Sequence, residues 1–322
     1  MSSAITQAQA ELVSFADPSD AAALQQLLEL LYALGRRDLP LGRLFEGHVD
    51  ALQIITRYAA PDLADAAVAA ARRGATFGVW NAGLPGEPLR LAEDRLFGGK
   101  SYASGAGILS HALVTADTDA GPQLLLLDLA LVPPTIDAEW WDVIGMARSQ
   151  THIVRWDGAP VDAAARIGAP QDYIREPWFS GGALRFVAVH AGGVAALFDQ
   201  VRDHLNAASR AGDPHQRARL ADLFGLADLA ASAVRATATA WFDEPDATRL
   251  PRVAAARLQV ADLAQRAILL AQEAVGLPGL FHAHPLSATL TDLMVYLRQP
   301  APDAQRAKVG AAAAAGDLGP KL

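Results

Sequence analysis

The chain has 322 residues, 52% of them apolar, and a formal net charge of −8. This length can bury a large core in two or three cooperating domains. The basic residues are spread along the chain rather than clustered, so nucleic acid is not expected as a partner. The absence of cysteine excludes disulfides, thiolate catalysis and Cys-ligated metal sites.

Two segments bear on cellular location. The most apolar stretch, residues 122–134, is interrupted by Asp128 and is shorter than the roughly 18 residues of a membrane span. The first residues, MSSAITQAQAELVSF, have neither the basic nor the apolar region of a secretory signal. We therefore expect a cytoplasmic protein with no membrane partner.

Residues 1–74 are predicted to form an N-terminal helical domain. Asp20 can cap the run AAALQQLLELLYALGRR, and Pro40 stands at the start of a second amphipathic run. Pro61 opens a third run that ends at Gly74, a residue suited to the end of a helix.

Residues 75–161 are predicted to form a middle β-domain, a small antiparallel sheet or barrel of about six strands. Short apolar segments alternate here with turns rich in Gly and Pro. The predicted strands are TFGVWN, PLRLAE, GGKSYASGAG, SHALVTA, QLLLLDLAL and THIVRWDG.

Residues 162–322 are predicted to form a C-terminal four-helix bundle. Apolar residues recur every three or four positions, and the connections between the helical runs are short. The expected fold class is therefore mainly α with a central β-domain. The predicted helices cover residues 181–208, 214–242, 251–275 and 285–298.

Motifs in the middle domain resemble those of the acyl-CoA dehydrogenase superfamily, whose domains follow the same order. GGKSYASGAG, from Gly98, resembles the family's G-x-K-x-(aromatic)-x-S-G strand and turn beside the flavin. FGVWNAGLP resembles the strand that also lines the cofactor, and residues 145–151 resemble the G-M-R-x-S-x-(S/T) strand, with Arg148 one place late. The resemblance implies FAD bound by Trp80, Ser104, Gly105, Ser149 and Thr151.

The C-terminal region resembles the family less closely. Gln272, followed by GLPG, resembles the Q-x-x-G-G loop that meets the partner subunit's FAD, which implies contacts from Gln272 and Gly276 in a homodimer or homotetramer. In the R-x-x-F-G-x-P segment, Ala208 replaces the Arg that binds the partner's pyrophosphate, and Ala211 replaces the Phe. Arg210 is the nearest substitute for that Arg.

The glutamate that removes the substrate α-proton in this family is missing from both of its usual positions. Leu184 stands at one position and Gln299-Pro300 at the other. Glu273 is the nearest carboxylate to the Gln272 loop and is a weak candidate for the base. The favoured interpretation of Glu273 is a solvated or ion-paired residue at a helix end.

The histidines and Trp80 each allow two interpretations. His282 and His284 form an H-x-H pair, but no third ligand follows at helical spacing, so a helix cap is favoured and no metal is predicted. His48 is interpreted as a hydrogen-bonded packing residue, although monooxygenases of this fold use N-terminal helix residues near the flavin ring. For Trp80, core packing and flavin stacking are left open.

Three functions are consistent with these features. The first is an FAD-dependent oxidoreductase of acyl-CoA dehydrogenase type, acting on the CH–CH bond of an acyl thioester. The second is a flavin-dependent monooxygenase of the same fold, which uses reduced flavin and O₂ and needs no α-proton base. The third is a catalytically degenerate binding subunit. The apolar faces of the long helices also predict a homo-oligomer.

Overall fold

The computed structural model describes residues 2–9 and 16–320. The predicted starts of the helices are confirmed at Asp20, whose carboxylate accepts the N–H of Ala23 at 2.9 Å, and at Pro61. The helices are α1 (Ser2–Gln9), α2 (Ala21–Arg37), α3 (Leu39–Tyr58), α4 (Pro61–Arg72), α5 (Trp178–Gly181), α6 (Ala183–Ala207), α7 (Pro214–Asp243), α8 (Asp246–Val275), α9 (Pro285–Tyr296) and α10 (Pro302–Ala315).

Eight strands form one sheet in the order β6-β7-β3-β2-β4-β5-β8, and β1 pairs with β4. The prediction of a purely antiparallel sheet is wrong, because β1 and β2 both run parallel to β4. The strands are β1 (Phe77–Trp80), β2 (Arg90–Ala92), β3 (Arg95–Ala103), β4 (His111–Thr118), β5 (Gly121–Asp128), β6 (Thr135–Asp137), β7 (His152–Pro160) and β8 (Arg166–Ile167).

The chain divides into two compact units. The predicted division at residues 74 and 161 into three domains stays a prediction, since grouping residues by contact does not show which segments fold independently. We call the first the sheet unit (Met1–Asp17, Arg43–Asp142 and Ala147–Phe179) and the second the bundle unit (Pro18–Gly42, Val143–Met146 and Ser180–Leu322).

Both faces of the sheet are covered within the sheet unit. One face buries an aromatic and aliphatic core around Trp80, Val114 and Trp156. The other face packs Leu113 and Leu124 against α3 and α4. Burial on both faces explains why β5 is apolar at consecutive positions rather than alternating.

In the bundle unit, α2 packs closely against α6. A Cβ added at Gly35 would lie 2.2 Å from the carbonyl oxygen of Val189, and one added at Gly192 would lie 2.1 Å from that of Tyr32. Only glycine allows the two backbones to approach so closely. The helix α2, predicted in an N-terminal domain, therefore groups with the C-terminal helices.

The predicted start of α8 is wrong, and a second helical segment is unusually apolar. The helix α8 begins at Asp246, and Pro251 lies inside it rather than at its start. The segment Trp178–Ala207 is long and apolar enough to cross a membrane, but 67% of its most apolar window is buried. Burial of that extent is equally typical of a core helix, so this is weak evidence for a membrane span.

Candidate functional site

Three predicted site residues meet in the sheet unit as a chain of hydroxyl groups. The Ser149 and Thr151 hydroxyl oxygens are 2.7 Å apart, and the Thr151 hydroxyl donates to that of Ser104 at 3.0 Å. The exposed fractions are 7% for Ser104, 1% for Ser149 and 5% for Thr151. The structure thus brings Ser104 together with residues that lie more than 40 positions later in the sequence, since Thr151 is 47 positions away.

The backbone around Ser104 is fixed on both sides. The indole N–H of Trp80 donates to the Ser104 carbonyl at 2.9 Å, and the N–H of Gly105 donates to the Ser149 carbonyl at 2.9 Å. Gly105 has a φ of +78°, and a Cβ there would lie 2.5 Å from Leu109. Gly105 is therefore required by the turn and its packing, and its N–H is already used within the protein.

The hydroxyl chain has a direction. Because Thr151 gives its proton to Ser104, the proton between Ser149 and Thr151 comes from Ser149. The hydroxyl proton of Ser104 then has no acceptor among the described residues. Successive hydrogen bonds polarise one another, so Ser104 ends the chain as a strengthened donor.

Trp80 lies in the core of the sheet unit. Its side chain is 1% exposed, and its ring lies 6.4 Å from that of Trp156, centroid to centroid. Of the two interpretations left open by the sequence, this placement favours core packing. Trp80 can affect the site only through its hydrogen bond to Ser104.

Lys100, on β3, was not singled out in the sequence, although it is the Lys of the G-x-K motif. Its ammonium group donates to the Thr115 hydroxyl at 2.7 Å and to the Asn81 carbonyl at 3.3 Å. Burial lowers the pKa of Lys100 to about 8, and the nearby Asp117 carboxylate partly opposes that shift. Through these hydrogen bonds Lys100 links β3 to β4 and to Asn81, the residue after β1.

His152 was also missed, because a single histidine in a strand carries no sequence signal. It is the first residue of β7 and its side chain is 6% exposed. Its Nε2 lies 3.2 Å from the Gln150 side-chain oxygen, and its Nδ1 is buried without a hydrogen-bond partner among the described residues. Burial lowers the pKa of His152, so the ring is neutral at neutral pH.

His48 is fully buried, which confirms its interpretation as a packing residue. The N–H of Phe77 donates to its Nδ1 at 3.1 Å, so the ring proton is on Nε2. The side-chain amide of Gln9 lies 2.5 Å from Nε2 and must present its oxygen to that proton. Burial lowers the pKa of His48 to about 3.

The remaining predicted contacts lie in the bundle unit, where their roles stay predictions. Gly276 ends α8 with a φ of +76°, and its N–H donates to the Gln272 carbonyl at 2.8 Å. Glu273 is exposed on the last turn of α8, and Arg210 is exposed between α6 and α7. The side chain of Leu184 is buried.

The histidine pair does not form a metal site in the part of the chain that the structure describes. His284 accepts the N–H of Leu286 at its Nδ1, 3.1 Å away, which confirms the predicted helix cap. Its Nε2 lies 3.1 Å from Nδ1 of His204. No group of three His, Cys, Asp or Glu side chains suited to a metal occurs among the described residues.

Known proteins resemble this chain in structure but not in sequence. No family model matches it, and no curated protein matches it. The solved dibenzothiophene monooxygenase from Paenibacillus sp. A11-2 matches with a TM-score of 0.80 over 96% of this chain and 88% of that chain, at 17% identity. Butyryl-CoA dehydrogenase from Megasphaera elsdenii matches with a TM-score of 0.76 over 92% and 83%, at 16% identity.

The chain has the acyl-CoA dehydrogenase fold. The resemblance found in the sequence motifs, and the mainly helical class with a central sheet, are thereby confirmed. Methanesulfinate monooxygenase from Pseudomonas fluorescens also matches, with a TM-score of 0.78 over 93% of this chain and 85% of that chain, at 14% identity. Identities this low establish the acyl-CoA dehydrogenase fold alone. The Paenibacillus enzyme has been solved with FMN and with FMN plus indole.

Proposed function

We propose that this protein is a flavin-dependent oxidoreductase, and specifically a monooxygenase that takes reduced flavin and O₂. One observation carries the proposal. The hydroxyl chain ends in a free Ser104 donor at the motif that resembles the flavin strand, whereas the positions of the family's catalytic base hold Leu184 and Gln299. This donor supports flavin binding, and the aliphatic and amide side chains at the two implied base positions support a reaction that needs no α-proton base.

The residues of the hydroxyl chain fit a flavin, because the ring presents acceptor atoms at N1, N5 and its two carbonyl oxygens. Ser104 would donate its free proton to one of these atoms, and Thr151 and Ser149 would orient that proton. Trp80 would hold the Ser104 backbone still through its indole N–H. When bound, the flavin supplies two-electron redox chemistry and, in its reduced form, the reaction with O₂.

Dehydrogenation of a CH–CH bond also requires a proton acceptor beside the substrate. The buried aliphatic side chain of Leu184 cannot accept a proton, and the amide of Gln299 donates to the Tyr296 carbonyl at 3.0 Å. Glu273, the weak candidate base, is exposed on a helix end. Transfer of an oxygen atom to an electron-rich substrate needs no such base.

The acyl-CoA dehydrogenase interpretation remains the second candidate. It is supported by the resemblance of the β3 motif and by the structural match to butyryl-CoA dehydrogenase. FAD, which the resemblance implied, is less favoured than FMN, because Ala208 replaces the Arg that would bind a pyrophosphate. We therefore propose FMN as the flavin.

A second copy of this chain is the proposed partner of the bundle unit. Leu277 is 69% exposed, and three further large apolar side chains near it in sequence are also exposed. Exposed apolar groups concentrated in this way are typical of an interface. They lie at the end of α8 and in the turn after it: Leu269, Leu277, Leu280 and Phe281.

A flavin titration of Ser104→Ala tests the proposal. We expect the variant to bind FMN about tenfold more weakly than the wild type, since losing one hydrogen bond at the upper end of the usual range costs about 1.4 kcal/mol. Ser110→Ala is the matched control, because it removes a hydroxyl that bonds Thr76 in the same unit but outside the motif. Equal FMN affinity in wild type and Ser104→Ala would contradict the assigned site.

Turnover separates the two candidate reactions. A monooxygenase forms product only when a reductase supplies reduced flavin and O₂ is present. An acyl-CoA dehydrogenase bleaches its own oxidised flavin anaerobically when an acyl-CoA is added. Anaerobic bleaching would therefore replace the monooxygenase proposal by the second candidate, and a wild type that binds no flavin would overturn both.

A further inference from the structure

A cavity of about 990 Å³ opens in the sheet unit at a place that the sequence motifs did not indicate. It is bounded by the hairpin of β2 and β3, the turn between β4 and β5, and the segment that begins with β8. Ser104, Ser149 and Thr151 do not line it. The cavity is large enough for a small organic ligand and is separate from the hydroxyl chain.

Gln123, on β5, lines this cavity with a side chain that is almost completely buried. It is 3% exposed. Its side-chain nitrogen lies 2.9 Å from the Leu124 carbonyl oxygen, and 3.1 and 3.3 Å from those of Ile167 and Gly168. Only a donor is compatible with three carbonyl oxygens, so these contacts fix the orientation of the amide.

The amide oxygen of Gln123 is left as an unused acceptor. It accepts no hydrogen bond from the described residues, and it still reaches solvent. Because Gln123 lines the cavity, this oxygen is open to a ligand there. Polar groups on side chains buried to this extent are normally hydrogen-bonded, so the oxygen requires an N–H or O–H donor.

The strand register places Gln123 and Arg166 on the same face of the sheet. The Cα of Gln123 pairs with that of Ala116 on β4. The Cα of Arg166, on β8, pairs with that of Leu125, two residues after Gln123. Side chains alternate along a strand, so Gln123, Leu125 and Arg166 point the same way. Ala116 and Leu125 belong to the core around Trp80, and the cavity opens at the end of that core face.

Four carboxylates and two guanidinium groups line the cavity, which gives it a formal net charge of −2. Arg166 is paired, since its guanidinium donates to the Asp94 carboxylate at 2.6 Å. Arg90 neighbours Asp117 in the register of β2 and β4. Each arginine is thus matched by one carboxylate, and the lining does not favour an anion.

The two remaining carboxylates, Glu93 and Asp119, give the cavity its negative charge. They belong to the β2–β3 and β4–β5 turns, are exposed, and have no ion-pair partner in the part of the chain that the structure describes. Two such carboxylates alone would be a solvated surface. Together with the buried Gln123 oxygen they call for a cation that carries N–H donors, and a protonated amine meets both requirements.

We propose that this cavity binds an alkyl diamine or polyamine, with an ammonium group donating to Oε1 of Gln123 and with Glu93 and Asp119 balancing its charge. Two ammonium groups match the net charge of the lining. The alkyl chain packs against Leu91, which lines the cavity and contacts the same core. The inference does not involve the flavin and is independent of the proposed function.

Calorimetric titration of the full chain with putrescine, at low ionic strength, tests the proposal. We expect saturable binding of one putrescine per chain, weakened by added salt because the rim carboxylates are exposed. The matched control ligand is 1,4-butanediol, which has the same length and carries no charge. It should give no saturable heat.

Two substitutions should change the affinity in opposite directions. Asp119→Asn removes one rim charge, so putrescine should bind about three- to fivefold more weakly, as expected for an exposed ion pair. Arg166→Gln releases Asp94 and makes the cavity more negative, so putrescine should bind about threefold more tightly. Asp65→Asn is the control, since it makes the same charge change on the exposed face of α4, outside the cavity, and should leave the affinity unchanged.

Nitrogen NMR of ¹⁵N-glutamine protein observes the buried acceptor itself. The side-chain amide resonance of Gln123 should shift when putrescine is added, because its oxygen gains a donor. Gln25 is the internal control, since its amide donates to the exposed Glu29 carboxylate at 2.9 Å and would move if the diamine bound surface carboxylates indiscriminately. It should not move.

The contrary results are distinct. If the wild type does not bind putrescine saturably, or binds 1,4-butanediol equally well, the inference is wrong. Binding that Asp119→Asn and Asp65→Asn weaken alike, with an unmoved Gln123 resonance, would place the diamine on the general acidic surface and would also overturn it. Tighter binding to Asp119→Asn and weaker binding to Arg166→Gln would contradict a cationic ligand.

Discussion

The two units differ in how closely their residues follow the acyl-CoA dehydrogenase motifs that the sequence resembles. In the sheet unit, the Thr151 hydroxyl lies within hydrogen-bond distance of those of Ser104 and Ser149, and all three residues were indicated by the motifs. In the bundle unit, Leu184, Ala208 and Gln299 stand where the sequence resemblance would place the catalytic and pyrophosphate-binding residues. The difference shows that the fold is compatible with aliphatic and amide side chains at those three positions, because helix packing depends on small and apolar side chains.

The largest expected effect breaks the packing of the bundle unit. Gly192→Leu would place a Cβ 2.1 Å from the Tyr32 carbonyl oxygen, so α2 and α6 would have to separate. Overpacking of a core costs about 1–3 kcal/mol, and a backbone clash belongs at the upper end. We expect the free energy of unfolding, measured by denaturant titration, to fall by about 3 kcal/mol.

Gly225→Leu is the control for that substitution. It lies in α7 of the same unit, and a Cβ there would meet nothing within 4 Å. Its free energy of unfolding should stay within about 1 kcal/mol of wild type. Equal losses in the two variants would contradict the close contact of α2 and α6.

Acid should destabilise the sheet unit through His48. Its pKa is about 3 in the folded protein against an ordinary value of 6.5, so the unfolded chain binds the proton first as the pH falls. The stability due to neutral His48 is complete above pH 6.5 and is lost progressively below it. Between pH 7 and pH 4 we expect a loss of roughly 3 kcal/mol from this group.

His48→Phe measures that contribution. The variant loses the acceptor for the Phe77 N–H and should be less stable than wild type at pH 7. Its free energy of unfolding should, however, fall less between pH 7 and pH 4. Parallel pH profiles for the two proteins would show that His48 is not held neutral.

Alkali should stabilise the sheet unit through Lys100, because here too the free energy of unfolding rises with pH. Its pKa is about 8 in the folded protein against 10.5 in its ordinary state, so the unfolded chain holds the proton over this range. The free energy of unfolding should therefore rise between pH 8 and pH 10.5, by about 2 kcal/mol after allowance for partial solvation. Lys100→Met should remove this rise, and a rise that survives in Lys100→Met would have another origin.

The smallest expected effect concerns the orientation of the Ser104 proton. Thr151→Val keeps the side-chain shape and removes the hydroxyl that donates to Ser104. Ser104 keeps its own hydroxyl, so FMN affinity should fall by only about three- to fivefold in a fluorescence titration. A loss larger than that of Ser104→Ala would show that Thr151 contacts the ligand itself.

The sequence predicted the fold better than the site. The cap at Asp20, the proline at the first position of α4, strand alternation and the S-G motif are local signals, and each located its element. The strands β6 and β8 were missed because three and two residues carry no periodicity. The parallel pairing of β1 with β4 depends on long-range contacts that no local pattern records.

Residues of the candidate site could be predicted only where a motif named them, and their roles stay predictions. Ser104, Ser149 and Thr151 were found in this way, but the direction of their hydrogen bonds is a property of the folded geometry. His152 and Lys100 owe their lowered pKa values to burial by residues distant in sequence. The hydrogen bond from the Gly105 N–H could not be predicted either, because its acceptor is the carbonyl of Ser149, a residue distant in sequence.

The most direct test of the central claim is a titration of the purified wild-type chain with FMN, followed by flavin fluorescence and absorption. If the hydroxyl chain of the sheet unit holds a flavin, the fluorescence should change saturably to one FMN per chain, with a shifted absorption band. Emission and absorption identical to those of free FMN throughout the titration would contradict the account.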